Sequence, residues 1–319
     1  MNLTRYAVTG IAAALLMAPA AYAKGQSWWL DLEGGVEYDD NVAVNQNIDE
    51  NGDKIDASSG SSDVAATFEV DAGYKLIDTD DSRVELGYNF FQSLYQDLNE
   101  FNYTEHSPSL NAWTKVDGIK LGFTYSYMNA SLDNDFFLEQ HILSPSIAGY
   151  LTEQIYVSAF YRYADKNYNR LDSRRDAQTQ QPGGDVFYYW DKANRGYVSA
   201  GASYTIEDTD ITPVDYPSYG YDGVSLRAAV QIPFDAFERK ARLRLAYAFQ
   251  NRDYDELTSL PLPGGKREDE RHTARVKLEV DVMSNLKAIG EYRFIDRNSN
   301  LLTADYQENI ASAALRYSF

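Results

Sequence analysis

Apolar and polar residues alternate one for one along most of this chain, over segments of roughly 10 to 15 residues. From Val64 to Leu76, the residues Val64, Ala66, Phe68, Val70, Ala72, Tyr74 and Leu76 share one parity, and Thr67, Glu69, Asp71 and Lys75 share the other. Successive side chains of a β-strand point to opposite faces, so such a segment has one apolar and one charged face. An α-helix, with its period near 3.6, would scatter the same residues around its circumference. The pattern returns in Ala241, Leu243, Leu245, Tyr247 and Phe249 against Arg242, Arg244, Gln250 and Arg252. It returns again in Ala274, Val276, Leu278, Val280 and Val282 against Arg275, Lys277, Glu279 and Asp281.

The segments are too long for an ordinary soluble sheet, whose strands usually hold about five or six residues. A tilted membrane strand needs about nine to eleven. Nearly every segment has an apolar face, and hydrocarbon tolerates no open sheet edge. The expected fold is therefore all-β: a closed antiparallel transmembrane β-barrel with its apolar face toward lipid. Strands are predicted near 27–38, 64–76, 83–96, 104–115, 119–132, 140–150, 155–166, 176–190, 196–206, 220–233, 240–250, 271–282, 286–297 and 304–319. That makes about 14. Pro182, Gly183 and Gly184 interrupt the segment 176–190, so 12 and 16 stay open as the neighbouring even counts.

Connections are predicted to alternate in length. Short ones fall at Asp78–Asp81, Asp117-Gly118, Thr152–Gln154, Lys192–Arg195, Asp235–Arg239 and Ser284-Asn285. Mostly longer, polar ones fall at Asp39–Asp63, Asp97–Tyr103, Asp133–Glu139, Asn167–Arg175, Glu207–Tyr219, Asn251–Glu270 and Asn298–Thr303. Short periplasmic turns and longer extracellular loops give that asymmetry. The stretch Asp49–Asp53 holds oxygen donors but not the full spacing of a calcium loop, and reads as a solvated acidic loop. No metal site and no cofactor are expected.

The N-terminal stretch reads as export. Arg5 gives a positive start, Ala7–Pro19 is a short apolar run, and Ala21-Tyr22-Ala23 is a small-residue cleavage site. Residues 1–23 are thus expected to be a signal peptide and 24–319 the barrel, placing the protein in the outer membrane of a Gram-negative cell. The chain has no cysteine, which excludes disulfides, thiolate chemistry and a lipid anchor on sulfur. Its 26 tyrosines, 14 phenylalanines and 4 tryptophans suit rings at a membrane–water boundary. The formal net charge of −19 argues against nucleic acid, whose phosphates need Lys and Arg. Lipid, lipopolysaccharide and the barrel-assembly machinery are the partners implied by the fold.

The last segment carries Ala311, Ala313, Leu315, Tyr317 and Phe319 on one face. Leu315, Tyr317 and Phe319 fit a membrane-assembly signal, since an exposed strand can be captured by strand pairing. Around Val36-Glu37-Tyr38-Asp39-Asp40-Asn41-Val42 the chain resembles outer-membrane barrels of the β-barrel porin-2 type and the barrel of surface lipoprotein assembly modifiers. Asp296-Arg297-Asn298-Ser299-Asn300, Tyr306, Asn309 and Leu315–Phe319 are similar too. The resemblance runs loosely end to end. Assembly modifiers carry a helical-repeat domain ahead of the barrel. Here only Lys24–Ser27 would separate cleavage from the first strand, a departure from that family. By analogy the resemblance implies a role in lipoprotein or exopolysaccharide export.

If the apolar face meets lipid, the other lines the interior. Asp31, Glu33, Glu37, Glu69, Asp71 and Glu85 would make an acidic early wall, with Lys75 and Arg83 as exceptions. Arg227, Arg242, Arg244, Arg252, Arg275, Lys277, Lys287, Arg293, Arg297 and Arg316 would make a basic late wall, with Glu279, Asp281, Glu291 and Glu308 interspersed. The walls would meet where the last strand closes on the first, and their other sides would face across the lumen. Two consequences compete: a transverse field acting on polar solutes, or a packed ladder of ion pairs filling the barrel. The near balance of interior charge predicts weak ion selectivity. Trp29, Phe91, Tyr95, Trp113, Tyr156 and Phe160 share the interior parity and could stack on sugar rings.

The expected function is a porin-like channel passing small polar solutes. The alternatives are the barrel of a surface export or assembly system, or a plugged structural barrel. Catalysis would need a Ser or acid beside one of only three histidines. His106 and Ser107 are adjacent on a strand and point to opposite faces, while His141 and His272 lie near strand starts. No enzymatic role is expected.

Overall fold

The computed structural model describes residues 27–44, 61–168, 175–209, 219–236, 238–257, 265–301 and 304–319. Fourteen strands follow one another: β1 (Trp28–Asp39), β2 (Asp63–Asp78), β3 (Ser82–Tyr95), β4 (Tyr103–Val116), β5 (Ile119–Leu132), β6 (Asp135–Tyr150) and β7 (Ile155–Tyr168). Then come β8 (Ala177–Asp191), β9 (Gly196–Thr209), β10 (Tyr221–Ala236), β11 (Arg239–Leu257), β12 (Lys266–Met283), β13 (Leu286–Ser299) and β14 (Tyr306–Ser318). Each pairs antiparallel with its sequence neighbours. β14 pairs with β1 from Asp31↔Ser318 to Asp39↔Ile310, which closes the barrel. The expected signal peptide and most of the acidic first loop, including Asp49–Asp53, lie outside the described residues.

Short polar turns join the strands at one end. At Asp117-Gly118 both residues have positive φ, 51° and 81°, the sign that matches the twist of a two-residue hairpin. Thr152 Oγ1 accepts the backbone N–H groups of Gln154 and Ile155. The opposite end carries the longer connections, with one exception. The expected loop 133–139 is a two-residue turn at Asp133-Asn134, and β6 starts at Asp135. Both turn residues take positive φ, 48° and 67°, which Asp and Asn tolerate better than most side chains. The expected loop 251–270 is also shorter, because β11 runs to Leu257 and β12 begins at Lys266, with a register shift between Asp253 and Leu257.

The interrupted segment is a full strand. Pro182 has no N–H to give, and the β8–β9 ladder skips it, passing from Gln180↔Ile206 to Gly183↔Ser203. On the other side Tyr161↔Pro182 and Phe160↔Gly183 keep register with β7.

Outward faces carry the exposed apolar residues. Leu76 is 53% exposed, Leu226 49% and Leu315 46%. Trp28, Tyr74, Tyr188 and Trp190 ring this surface at the short-turn end, and Tyr38, Tyr88, Tyr247 and Tyr292 ring it higher up. Two aromatic girdles around an aliphatic band mark the hydrocarbon slab. Above the upper girdle the outward positions turn polar: Asn251 and Asp253 on β11, Glu268 and Glu270 on β12, Gln307 and Asn309 on β14. The strands of 12 to 19 residues therefore stand out of the membrane on the loop side.

Candidate functional site: the barrel interior

Strand register places every candidate charge on the interior face. Asp31, Glu33 and Glu37 alternate with exposed Val36 and Tyr38 on β1, and pair across to Asp71, Glu69 and Ala65 of β2. Glu85 lies opposite Lys75. Arg227 lies opposite Ala248, Arg242 opposite Glu279, and Arg244 opposite Lys277. Arg275 lies opposite Arg293, and Arg316 opposite Lys287. The walls meet at the closure, where Arg316 Nε donates to Glu33 Oε2 at 2.7 Å. Other pairs are Arg242–Glu279 at 3.3 Å, Arg275–Glu291 at 3.2 Å and Lys277–Glu279 at 3.2 Å. Glu69 and Asp71 share the amide of Asn89, at 3.0 and 2.7 Å.

The two walls meet where Arg316 of β14 pairs with Glu33 of β1, and their far sides, β3 and β10, stand half-way round the ring of 14 strands from each other, across the lumen. The arginines also share a cavity with the polar and aromatic wall of β7–β9. One feature departs from expectation: the register in places sets like against like, at Asp31↔Asp71, Glu33↔Glu69, Arg244↔Lys277, Arg275↔Arg293 and Arg271↔Arg297. Like charges directly opposite on a sheet destabilise it. Opposite charges also stand face to face, at Glu33↔Arg316, Lys75↔Glu85, Arg242↔Glu279, Lys277↔Glu291 and Asp281↔Lys287.

The cavity lies inside the barrel, measures about 560 Å³ and draws its lining from β7 through β13. Its walls include Phe160, Arg162, Gln181, Asp185, Arg227, Arg271, Arg275 and Arg293. Arg162, Asp185 and Arg271 were not singled out in the sequence, although each has the parity of neighbours that were. Asp185 was hidden behind Pro182-Gly183-Gly184. Two glycines shape this wall. A Cβ on Gly183 would strike the Phe160 ring at 2.5 Å, so that ring lies over bare backbone. A Cβ on Gly201 would collide with the Asp185 carboxylate, which pairs across β9 with Arg227 at 2.9 Å.

The loop end of the interior is packed. Asp39, Asn41, Asp63, Tyr221, Tyr254, Arg267, Asp269, Tyr306 and Glu308 are all buried. Asp269 is 2% exposed and accepts from Arg267 at 2.9 and 3.0 Å, from Arg297, from Ser299 Oγ at 2.6 Å and from Tyr254 at 3.1 Å. It sits above the upper girdle, beside outward Glu268 and Glu270. Burial alone would raise its carboxyl, but the hydrogen bonds from Arg267, Arg297 and Ser299 hold it below the ordinary carboxylate range.

The singled-out aromatics also face inward. Lys120 Nζ lies 4.7 Å from the Trp113 ring, Tyr156 packs edge-on to Phe187, and Phe91 packs on Tyr103. The three histidines scatter over the outer surface. Each ring Nδ1 bonds the hydroxyl of a tyrosine on the preceding strand: Tyr88–His106 at 2.7 Å, Tyr125–His141 at 3.0 Å and Tyr247–His272 at 2.6 Å. His141 also approaches Glu139 at 3.5 Å. These Tyr–His contacts repeat at three places on the outer surface. At the closure the Phe319 N–H donates to Leu30 O at 2.8 Å, and the Tyr317 and Phe319 rings meet edge to face at 4.7 Å.

The fold and the outward girdles define a bacterial outer-membrane β-barrel. Among solved structures the chain is similar to an anion-selective porin from Comamonas acidovorans, at 9% identity and a TM-score of 0.50, over 92% of this chain and 98% of that one. It is also similar to outer-membrane expressed OmpT of Vibrio cholerae, at 10% identity and a TM-score of 0.50, over 93% and 99%. These likenesses are of fold. No family model matches the chain, and no curated protein matches it.

Proposed function

We propose that the protein is a porin-like channel of the outer membrane passing small polar solutes. The carrying observation is the interior cavity of about 560 Å³, walled by charges that the register leaves partly unneutralised. Fourteen strands also enclose more than side chains can fill, unlike the eight-strand case. In this reading residues 1–23 are removed after Ala23, and Leu315, Tyr317 and Phe319 present the closing strand to the assembly machinery. Interior acids and bases nearly balance, so the −19 resides chiefly in the loops and bulk ion selectivity is weak. No catalytic step belongs to this reading.

Reconstitution in planar bilayers tests it. Discrete single-channel currents with a reversal potential near zero across a salt gradient are expected. A silent bilayer would sink the channel and favour a plugged structural barrel, for which the packed loop end is the supporting feature. Strong cation selectivity would sink the charge-balance argument. Co-purification of a periplasmic partner with a silent barrel would favour the export or assembly role.

A further inference from the structure

We infer that the interior cavity is a binding site for a small hydroxylated organic anion of the sugar-acid class. Five guanidinium groups face it, those of Arg162, Arg227, Arg271, Arg275 and Arg293, while its lining holds one carboxylate, Asp185. That carboxylate is already bonded to Arg227. Arg275 has Glu291 at 3.2 Å, and Arg162 has the neutral Gln181 amide as its hydrogen-bond partner among the described residues, at 3.2 Å. The Nε–H groups of Arg271 and Arg293 are buried and have no hydrogen-bond partner among the described residues, although the Glu308 carboxyl outside the cavity lining attracts both guanidiniums. The Arg275↔Arg293 opposition is costly, and an anion seated between these guanidiniums would relieve it.

The rest of the lining selects among anions. A guanidinium fork matches a carboxylate or phosphate in two parallel hydrogen bonds. Phe160, seated on Gly183, offers an aromatic face to the same space, with the Arg162 and Arg227 guanidiniums 6.0 and 5.9 Å from its centroid. Ser203, Ser225 and Gln181 add neutral hydrogen-bonding groups. A bare inorganic ion would use the charge and leave the ring and hydroxyls idle. A sugar acid uses all three. The volume falls within the range of small-ligand sites, roughly 300–1,000 Å³.

The inference rests on the channel reading only for how the solute arrives, so binding is measured without conductance. The purified barrel in detergent is titrated calorimetrically with galacturonate, galactose and inorganic phosphate. Galacturonate is expected to bind at least about tenfold more tightly than galactose, as one charge-assisted contact would give. It should also bind more tightly than phosphate. The double variant Arg271→Gln, Arg293→Gln should lose about tenfold or more for galacturonate. Arg271→Lys with Arg293→Lys keeps the charge, loses the forks, and should lose part of that affinity. Phe160→Ala should erase the preference for galacturonate over phosphate. Equal binding of galactose, phosphate binding as tight as galacturonate, or full affinity in the double Gln variant would each overturn the proposal. Binding with a silent bilayer would keep the site and remove the channel. Currents without binding would do the reverse.

Discussion

Asp269 and Arg271 stand two residues apart on the same face of β12, yet their surroundings differ. Asp269 is buried among four donor side chains that together neutralise and saturate it. Arg271, one step deeper, has an Nε–H with no partner among the described residues and faces Arg297 across the ladder. The same contrast divides the barrel. Around Asp269, charges are packed and matched. Around the cavity, Arg271 and Arg275 oppose their like. We expect the matched cluster to hold the mouth together and the unmatched arginines to act on a solute in the cavity.

The sharpest way to break that contrast is to unmatch the packed end. Asp269→Ala would strand Arg267 and Arg297 beside each other with no counter-charge. Removing one partner of a buried ion pair costs about 3–5 kcal/mol. We expect a loss at the lower end of that range, read as a lowered urea midpoint of the refolded barrel and as new proteolytic cleavage at the loop end. A variant as stable as the parent would mean that the clasp does not hold the mouth. Next in size is Gly201→Val. The new side chain would occupy the space of the Asp185 carboxylate and force the Asp185–Arg227 pair apart. Overpacking costs about 1–3 kcal/mol. Because this wall also lines the cavity, conductance should change with stability, whereas Asp269→Ala should act mainly on stability.

Most of the architecture was legible because parity is a local property. Knowing which face Val64–Leu76 turns to lipid requires only the segment itself, and only 176–190, broken by Pro182-Gly183-Gly184, carried that signal poorly. What parity cannot show is azimuth. Chain order gives the meeting of the acidic and basic walls at the closure, but not which interior residues gather around one cavity. Pairing is also non-local: the like-charge rows appear only once Arg275 is aligned with Arg293 and Glu33 with Glu69. The tight turn at Asp133-Asn134 was hidden for another reason. A polar run reads as a loop until two positive φ values turn it into a hairpin. Asp185 was masked by Pro182, whose missing N–H interrupts one ladder but not the strand.

A third, smaller test concerns the outer surface. Tyr247→Phe removes the hydroxyl that bonds His272 Nδ1 at 2.6 Å and leaves the Phe249–His272 contact in place. The expected cost is about 1 kcal/mol, the ordinary worth of one hydrogen bond. Tyr88→Phe and Tyr125→Phe should cost the same, because the geometry repeats. Unequal losses would show that the three sites differ in role, and retained conductance in all three would separate the girdle from the lumen.

The smallest predicted effect has the opposite sign, and it bears most directly on the contrast. Arg293 opposes Arg275, leaves its Nε–H unsatisfied, and feels attraction from Glu37 and Glu308 on the neighbouring wall. Arg293→Gln removes the repulsion and the attraction together, and we expect the like-charge opposition to outweigh the attraction. The barrel should gain about 0.5 kcal/mol in unfolding free energy, the usual size of a cross-strand charge term. The gain should shrink as salt rises if the cavity is water-filled, as the channel reading has it, because such charges are screened over about 10 Å at 0.1 M. A loss of more than about 1 kcal/mol would place Arg293 with Asp269 among the residues that hold the structure. The middle of the barrel would then be a second packed zone, and the division between a matched mouth and an unmatched lumen would fail at its centre.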